Sequence, residues 1–153
     1  MGSESPAPEL NVPEYLKQRF PFLMVDRVLS WQQGGELRAV KNISVNEHYF
    51  QGHFPQYPLF PGVLTIECFA QAAAILVRLT ELAEKSAAEN LLDVIGTVLE
   101  FRFLKPLTPG DRLETHVTIT KTVGKNRIVE GKCYVAGGEV AAGKLMFGKI
   151  QQP

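Results

Sequence analysis

The chain has 153 residues, with 16 basic and 16 acidic side chains and so a formal net charge of zero. At this length one domain is expected, burying roughly 68–70% of the surface that the unfolded chain exposes, and a composition of 45% hydrophobic and 21% charged residues excludes a disordered polymer. Balanced charge argues against a general nucleic-acid binder, and no stretch of about 18 uncharged apolar residues marks a membrane span.

Met1 to Asn11 lacks the basic and apolar regions of a secretory signal, so a cytoplasmic protein is expected. Residues 1–11 are read as a flexible tail, because Gly2 to Pro8 cannot bury enough apolar surface to offset ordering. Residues 12–153 are read as a single domain. Pro13 to Phe20 reads as a short helix, opened by its proline and stopped by Pro21. Phe22 to Trp31 and Glu36 to Val45 read as two strands joined by the turn Gln32 to Gly35.

Asn46 to Pro61 is irregular, with Gly52, Pro55 and Pro58 among histidines and aromatic residues. A helix is then expected from about Pro61. Val63, Ile66, Ala70, Ala73, Ala74 and Val77 recur every three or four residues in a segment where charge returns only at Arg78, Glu67 excepted. A helix apolar nearly all round should be buried at the centre of the fold.

Beyond a polar break at Glu84 to Asn90, Leu92 to Leu104 reads as a strand and Leu107 to Asp111 as a turn. Leu113, Thr115, Val117 and Ile119 alternate with Arg112, Glu114, His116 and Thr118, which is the pattern of a half-buried strand. Gly124 to Asn126 turns into a strand over Arg127 to Val135, and Gly137-Gly138 reads as the hairpin turn into Glu139 to Ile150. The order predicts an α+β domain with one long helix on one face of an antiparallel sheet. The two cysteines, Cys68 and Cys133, show neither CxxC nor His–Cys spacing and are read as reduced packing residues, with no metal site.

Two residues carry chemical interest. Glu67 is a carboxylate inside an otherwise apolar helix, where burial without a partner costs several kcal/mol, on the order of 2–7 for a polar group and more for a charge. An exposed helix face, a hydrogen bond to a strand or an ion pair between subunits would each explain it. His53 lies in a Gly- and Pro-rich loop just before the helix, where a satisfied structural histidine is the ordinary alternative. Taken together, a histidine titrating near neutrality suits removal of a carbon-bound proton, and a carboxyl in an apolar setting suits proton delivery. Dehydration needs both. Gly62, near the N-terminus of the long helix, offers a free N–H where the helix dipole favours negative charge. Spacing alone does not show that His53 and Glu67 meet.

The run Arg19-Phe20-Pro21-Phe22-Leu23-Met24-Val25-Asp26-Arg27-Val28, the loop Gly52-His53-Phe54-Pro55, and Pro61-Gly62-Val63-Leu64 with Ile66-Glu67 and Ala70-Gln71 resemble the (3R)-hydroxyacyl-[acyl-carrier-protein] dehydratases of bacterial fatty acid synthesis. Phe101-Arg102-Phe103, Lys105-Pro106 and Pro109-Gly110-Asp111 extend the resemblance, which covers residues from about 13 to 150. It implies a hotdog fold, an antiparallel sheet wrapped around one long helix. It further implies a homodimer with active sites shared between chains, alone or as a trimer of dimers, and no cofactor. His53 would be the base at the α-carbon and Glu67 the acid that helps the β-hydroxyl leave. Gly62 would be the donor to the thioester carbonyl and Gln71 the residue that orients Glu67, with Gly52, Phe54 and Pro55 shaping the loop.

The chain departs from that pattern in places. Gln18 stands where a histidine is usual and Phe20 where a tyrosine is; one extra residue falls between Gly96 and Pro106, with bulky Leu99 and Phe101. The last change lies near the acyl tunnel of the family and leaves chain length open. Glu67, rather than the aspartate of an isomerising branch, favours dehydration alone. The rival readings are a hotdog thioesterase, a non-catalytic carrier-protein binder, and a dehydratase with the same chemistry dedicated to a polyketide, aryl polyene or other secondary product. Acyl carrier proteins are acidic, so a local basic patch is expected, with Arg102 and Lys105 and either Arg19 or Lys125 as candidates.

Overall fold

The structure, a computed structural model, describes residues 9–153. Most of the expected tail lies outside the described residues. Of its last three, Glu9 pairs with Arg27, Leu10 packs against the core, and Asn11 donates a hydrogen bond from its side chain to Glu14.

One helix, α1 (Gly62–Ala83), lies against a six-stranded antiparallel sheet. The strands are β1 (Arg27–Trp31), β2 (Glu36–Asn42), β3 (Leu91–Phe103), β4 (Arg112–Val123), β5 (Asn126–Val135) and β6 (Gly138–Gln151), in the spatial order β1-β2-β4-β5-β6-β3. This is the layered α+β arrangement that the sequence predicts. The inner face of the sheet supplies Leu37, Leu113, Val117, Val129 and Leu145, and α1 meets it with Phe69, Ala72, Ala73, Ile75 and Leu76, all fully buried. On β4 the expected alternation holds, with Leu113, Thr115 and Val117 inward. Closest approach falls at Gly131, where an added Cβ would collide with the His116 carbonyl oxygen and come within 3.0 Å of the Phe69 ring.

By length and composition α1 resembles a bilayer-crossing helix, but 61% of its most apolar window is buried inside the domain, so it is the core helix. Its burial is one-sided. Val63 is 72% exposed, and Ile66 and Glu67 are only half-buried, because the sheet wraps the opposite face. The helix ends in a Schellman motif, with Lys85 in the left-handed region at φ 58°; Ser86 N–H bonds to the Glu81 carbonyl and Lys85 N–H to that of Leu82. Glu81, buried near that end, accepts from Lys149 at 2.8 Å, and Lys149 also binds Asp93 at 2.6 Å, which ties α1 to β6 and β3.

Three expected elements differ. The helix over Pro13 to Phe20 is a single 3-10 turn, Val12–Glu14, because the Arg19 guanidinium takes the carbonyls of Pro13, Leu16 and Gln18 that helical N–H groups would have used. The first strand begins at Arg27 rather than Phe22. The backbone of Phe22 and Met24 is engaged instead by the Gln71 side chain. The last hairpin turns at Ala136-Gly137, one residue earlier than expected: both have positive φ, 48° and 78°, while Gly138 already pairs with Val135.

β3 is one of the two edges of the sheet, β1 being the other; it is bonded on one side only, to β6, and Val98, Leu99 and Phe103 on it are about half exposed. Its register slips between Ile95 and Thr97 and between Val98 and Glu100, so Gly96 and Leu99 bulge from the ladder. This is the stretch where the sequence reading places an extra residue and bulky side chains. Phe101 there packs on Phe69 of α1 with ring centroids 5.6 Å apart.

Candidate active site

The loop before α1 is built around His53. A 3-10 turn, His48–Gln51, is closed by Gly52 and His53, whose N–H groups both bond to the Tyr49 carbonyl. The chain then doubles back: Phe54 and Tyr57 exchange backbone hydrogen bonds, and Leu59 N–H returns to the His53 carbonyl. Leu59 grips His53 a second time, its carbonyl lying 2.8 Å from the ring Nδ1. A carbonyl only accepts, so in the neutral ring Nδ1 carries the proton and Nε2 has the free lone pair. The exposed Phe54 ring stacks on the imidazole at 4.2 Å, and Pro55 lies exposed beyond it. Phe60 N–H bonds to the Leu107 carbonyl and anchors the loop to the segment between β3 and β4.

Pro61 caps α1 and Gly62 opens it; Leu64 and Thr65 N–H groups bond back to the Pro61 carbonyl. As the first residue of the helix, Gly62 has no turn before it to accept its N–H. The Phe103 ring lies over it, 3.1 Å from where a Cβ would stand, so a side chain here would push the ring aside. His53 and Gly62 share the lining of one cavity of about 340 Å³, together with Thr65, Phe103, Lys105 and Val140.

Glu67 and Gln71 form a second unit, one helical turn apart. Gln71 is 1% exposed and its amide has one possible orientation: Oε1 accepts the Met24 N–H at 2.7 Å, while Nε2 donates to the Phe22 carbonyl and to Glu67 Oε1, each at 2.8 Å. One carboxylate oxygen of Glu67 is thereby fixed. Burial raises the Glu67 pKa above the ordinary carboxylate value, and the Gln71 hydrogen bond opposes the rise. Glu67 does not line the cavity that holds His53 and Gly62.

Sequence reasoning therefore singled out two units, His53 with Gly62, which line one cavity, and Glu67 with Gln71, which do not line it. It missed the Leu59 carbonyl, the Phe103 ring over Gly62 and the Phe22–Met24 grip on Gln71. Backbone acceptors carry no residue signature; only the proline spacing around Leu59 hinted at a fixed path.

The two cysteines are free and buried; burial pushes both thiols up, Cys133 to about 11. No cluster of His, Cys, Asp and Glu among the described residues is placed to hold a metal ion. Of the basic candidates, Lys105 lies at the His53 cavity, Arg102 pairs with Glu100 on the exposed sheet surface, and Arg19 is occupied by backbone carbonyls. Lys125 is in the exposed turn between β4 and β5.

The geometry defines a class first: a hotdog fold, one long helix wrapped by an antiparallel sheet, with a histidine loop at the helix N-terminus. Solved structures share this fold. The dehydratase heterocomplex ApeI:P from Xenorhabdus doucetiae superposes with a TM-score of 0.71 over 94% of this chain and 91% of that one, at 21% identity. The PaaI protein of Escherichia coli gives 0.61 over 79% and 80%, at 15% identity. At such identities the likeness is one of fold.

Sequence comparison goes further. The FabA-like domain model matches residues 16–144. The 3-hydroxyacyl-[acyl-carrier-protein] dehydratase FabZ of Escherichia coli (strain K12 / DH10B) is 42% identical over 145 residues, covering 93% of this chain and 92% of that protein. FabZ of a Nitratiruptor species is 38% identical over 137 residues, covering 89% and 93%. The chain belongs to the FabA-like family.

Proposed function

We propose that the protein is a 3-hydroxyacyl-[acyl-carrier-protein] dehydratase of fatty acid synthesis, removing water from a (3R)-hydroxyacyl thioester to leave the trans-2-enoyl thioester. Identity of about 40% with FabZ proteins across nearly the whole chain supports the reaction class. The observation that carries the site is the His53 ring, with Nδ1 tied to Leu59, lining a cavity that also holds Gly62 at the helix N-terminus.

The thioester carbonyl would accept the Gly62 N–H. That contact and the helix dipole stabilise negative charge on the oxygen as the α-proton becomes acidic. Nε2 of His53 takes the α-proton. Glu67, whose pKa burial raises above the ordinary carboxylate value, acts from its protonated form and gives its proton to the β-hydroxyl, which leaves as water. His53 ends protonated and Glu67 ionised, and proton exchange with solvent restores both. Gln71 holds one Glu67 oxygen so that the other faces substrate.

Glu67 is not among the residues lining the His53 cavity, which supports a site completed in a homodimer, the carboxyl of one chain meeting the histidine of the other. The half-exposed apolar edge β3 and exposed Val63 at the cavity end of α1 are surfaces suited to that contact. Lys105, at the cavity, would meet the acidic carrier, with the more remote Arg102 adding positive charge. The buried thiols and the sheet-covered helix support a cytoplasmic location.

Purified protein should interconvert 3-hydroxyacyl and trans-2-enoyl thioesters, followed by enoyl absorbance. Release of free thiol without enoyl formation would make it a thioesterase instead.

A further inference from the structure

We propose that the Thr65 hydroxyl is a second hydrogen-bond donor to the thioester carbonyl, working beside the Gly62 N–H as the α-proton leaves. This rests on the dehydratase reading above and deepens it. Thr65 stands in the first turn of α1, three residues after Gly62. Positions three apart on a helix share one face, about 5–6 Å from each other. The Cα–Cβ bond of a helical residue tilts toward the helix N-terminus, so the Thr65 side chain leans back over the turn that Gly62 opens. Gly62 has no side chain to fill that place, and both residues line the cavity that holds His53.

Thr65 is 2% exposed, and its hydroxyl is uncommitted. A helical threonine commonly donates to the carbonyl four residues back, as Thr80 does to Leu76 at 2.7 Å. At Thr65 that acceptor is Pro61, whose carbonyl takes the Leu64 and Thr65 N–H groups instead, and the hydroxyl has no hydrogen-bond partner among the described residues. Tyr49 Oη is the described side-chain atom that is sealed from solvent without a partner. The Thr65 hydroxyl is not sealed, and the cavity is the open space that Thr65 borders. The other polar side chains of that lining, His53 and Lys105, have roles as base and carrier contact, while Leu59, Phe60, Phe103 and Val140 make apolar wall. A carbonyl oxygen has two lone pairs and accepts two donors, and in apolar surroundings each donor counts for more than in water. As His53 takes the α-proton, negative charge gathers on the thioester oxygen, and the Gly62 N–H and Thr65 O–H bind it more strongly than they bind the neutral carbonyl. The hydroxyl keeps its proton throughout.

The test is steady-state kinetics of enoyl formation by the wild type, Thr65→Val and Thr65→Ser, with Tm measured alongside. Thr65→Val keeps the branched shape and removes the donor. Its kcat should fall by about 10²-fold, the loss that follows removal of one donor to a developing oxyanion, while KM stays within about threefold. Thr65→Ser keeps the hydroxyl and should hold kcat within about fivefold of the wild type. Should Thr65→Val fail to fold, Thr65→Ala, which adds no bulk, takes its place with the same loss expected. Wild-type turnover in the variant that lacks the hydroxyl, equal losses in Thr65→Val and Thr65→Ser, or a loss confined to KM overturns the role of Thr65. A wild type that forms no enoyl product overturns the dehydratase reading instead.

Discussion

His53 and Glu67 are each held by a backbone or amide group that suits the role proposed for them. The Leu59 carbonyl selects the tautomer of one, and the buried Gln71 amide fixes an oxygen of the other. His53→Ala and Glu67→Ala should each reduce kcat/KM by about 10²–10⁴, the usual share of a positioned acid or base, in steady-state assays of enoyl formation. Glu67 also predicts a pH effect. Its folded pKa is raised above 4.5, chiefly by burial, so between 4.5 and the folded value the native state keeps a proton that the unfolded chain has lost. Stability therefore falls as pH rises through that window, and activity that needs the protonated acid falls with it. Glu67→Gln should flatten this part of the Tm-against-pH curve while abolishing turnover; a Tm profile that keeps the wild-type slope would contradict the assignment. At this scale the sequence exposed the residue types. It hid their partners, because Leu59 acts through its carbonyl and Phe22 and Met24 through their main chains.

Elements were legible where one side of the chain faces the core and the other does not. Alternation on β4 and the near-absence of charge from Val63 to Val77 located a strand and the central helix. Between Pro13 and Asp26 the pattern misleads: its apolar residues suit helix or strand, but Arg19 and Gln71 satisfy the backbone there from their side chains. A tertiary contact 47 residues away has no trace in local periodicity. Val63 misled similarly, since an apolar residue at core spacing is 72% exposed. Packing at the centre leaves little slack. Gly131→Ala would drive a methyl into the His116 carbonyl oxygen and should cost about 1–3 kcal/mol, measured as a shift in the urea unfolding midpoint. Stability unchanged from wild type would mean that β4 and β5 can part more easily than their pairing implies.

For the whole molecule, composition and length already pointed to one globular domain, and the motifs around His53 and Glu67 pointed to the family to which the chain belongs. Nothing in a single sequence states which residues share a cavity; the structure puts His53 and Gly62 in one lining without Glu67, as the proposed two-chain site requires. A charge placed on the free edge β3, Val98→Lys, should weaken the proposed dimer, read as a lower sedimentation coefficient at micromolar concentration. Shared sites are tested most directly by mixing inactive His53→Ala and Glu67→Ala proteins, allowing subunits to exchange, and measuring enoyl formation. Random exchange makes half the dimers mixed, each with one intact site of two, so about a quarter of wild-type activity should return. Mixed dimers verified by mass spectrometry that stay as inactive as their parents would contradict a site built from two chains.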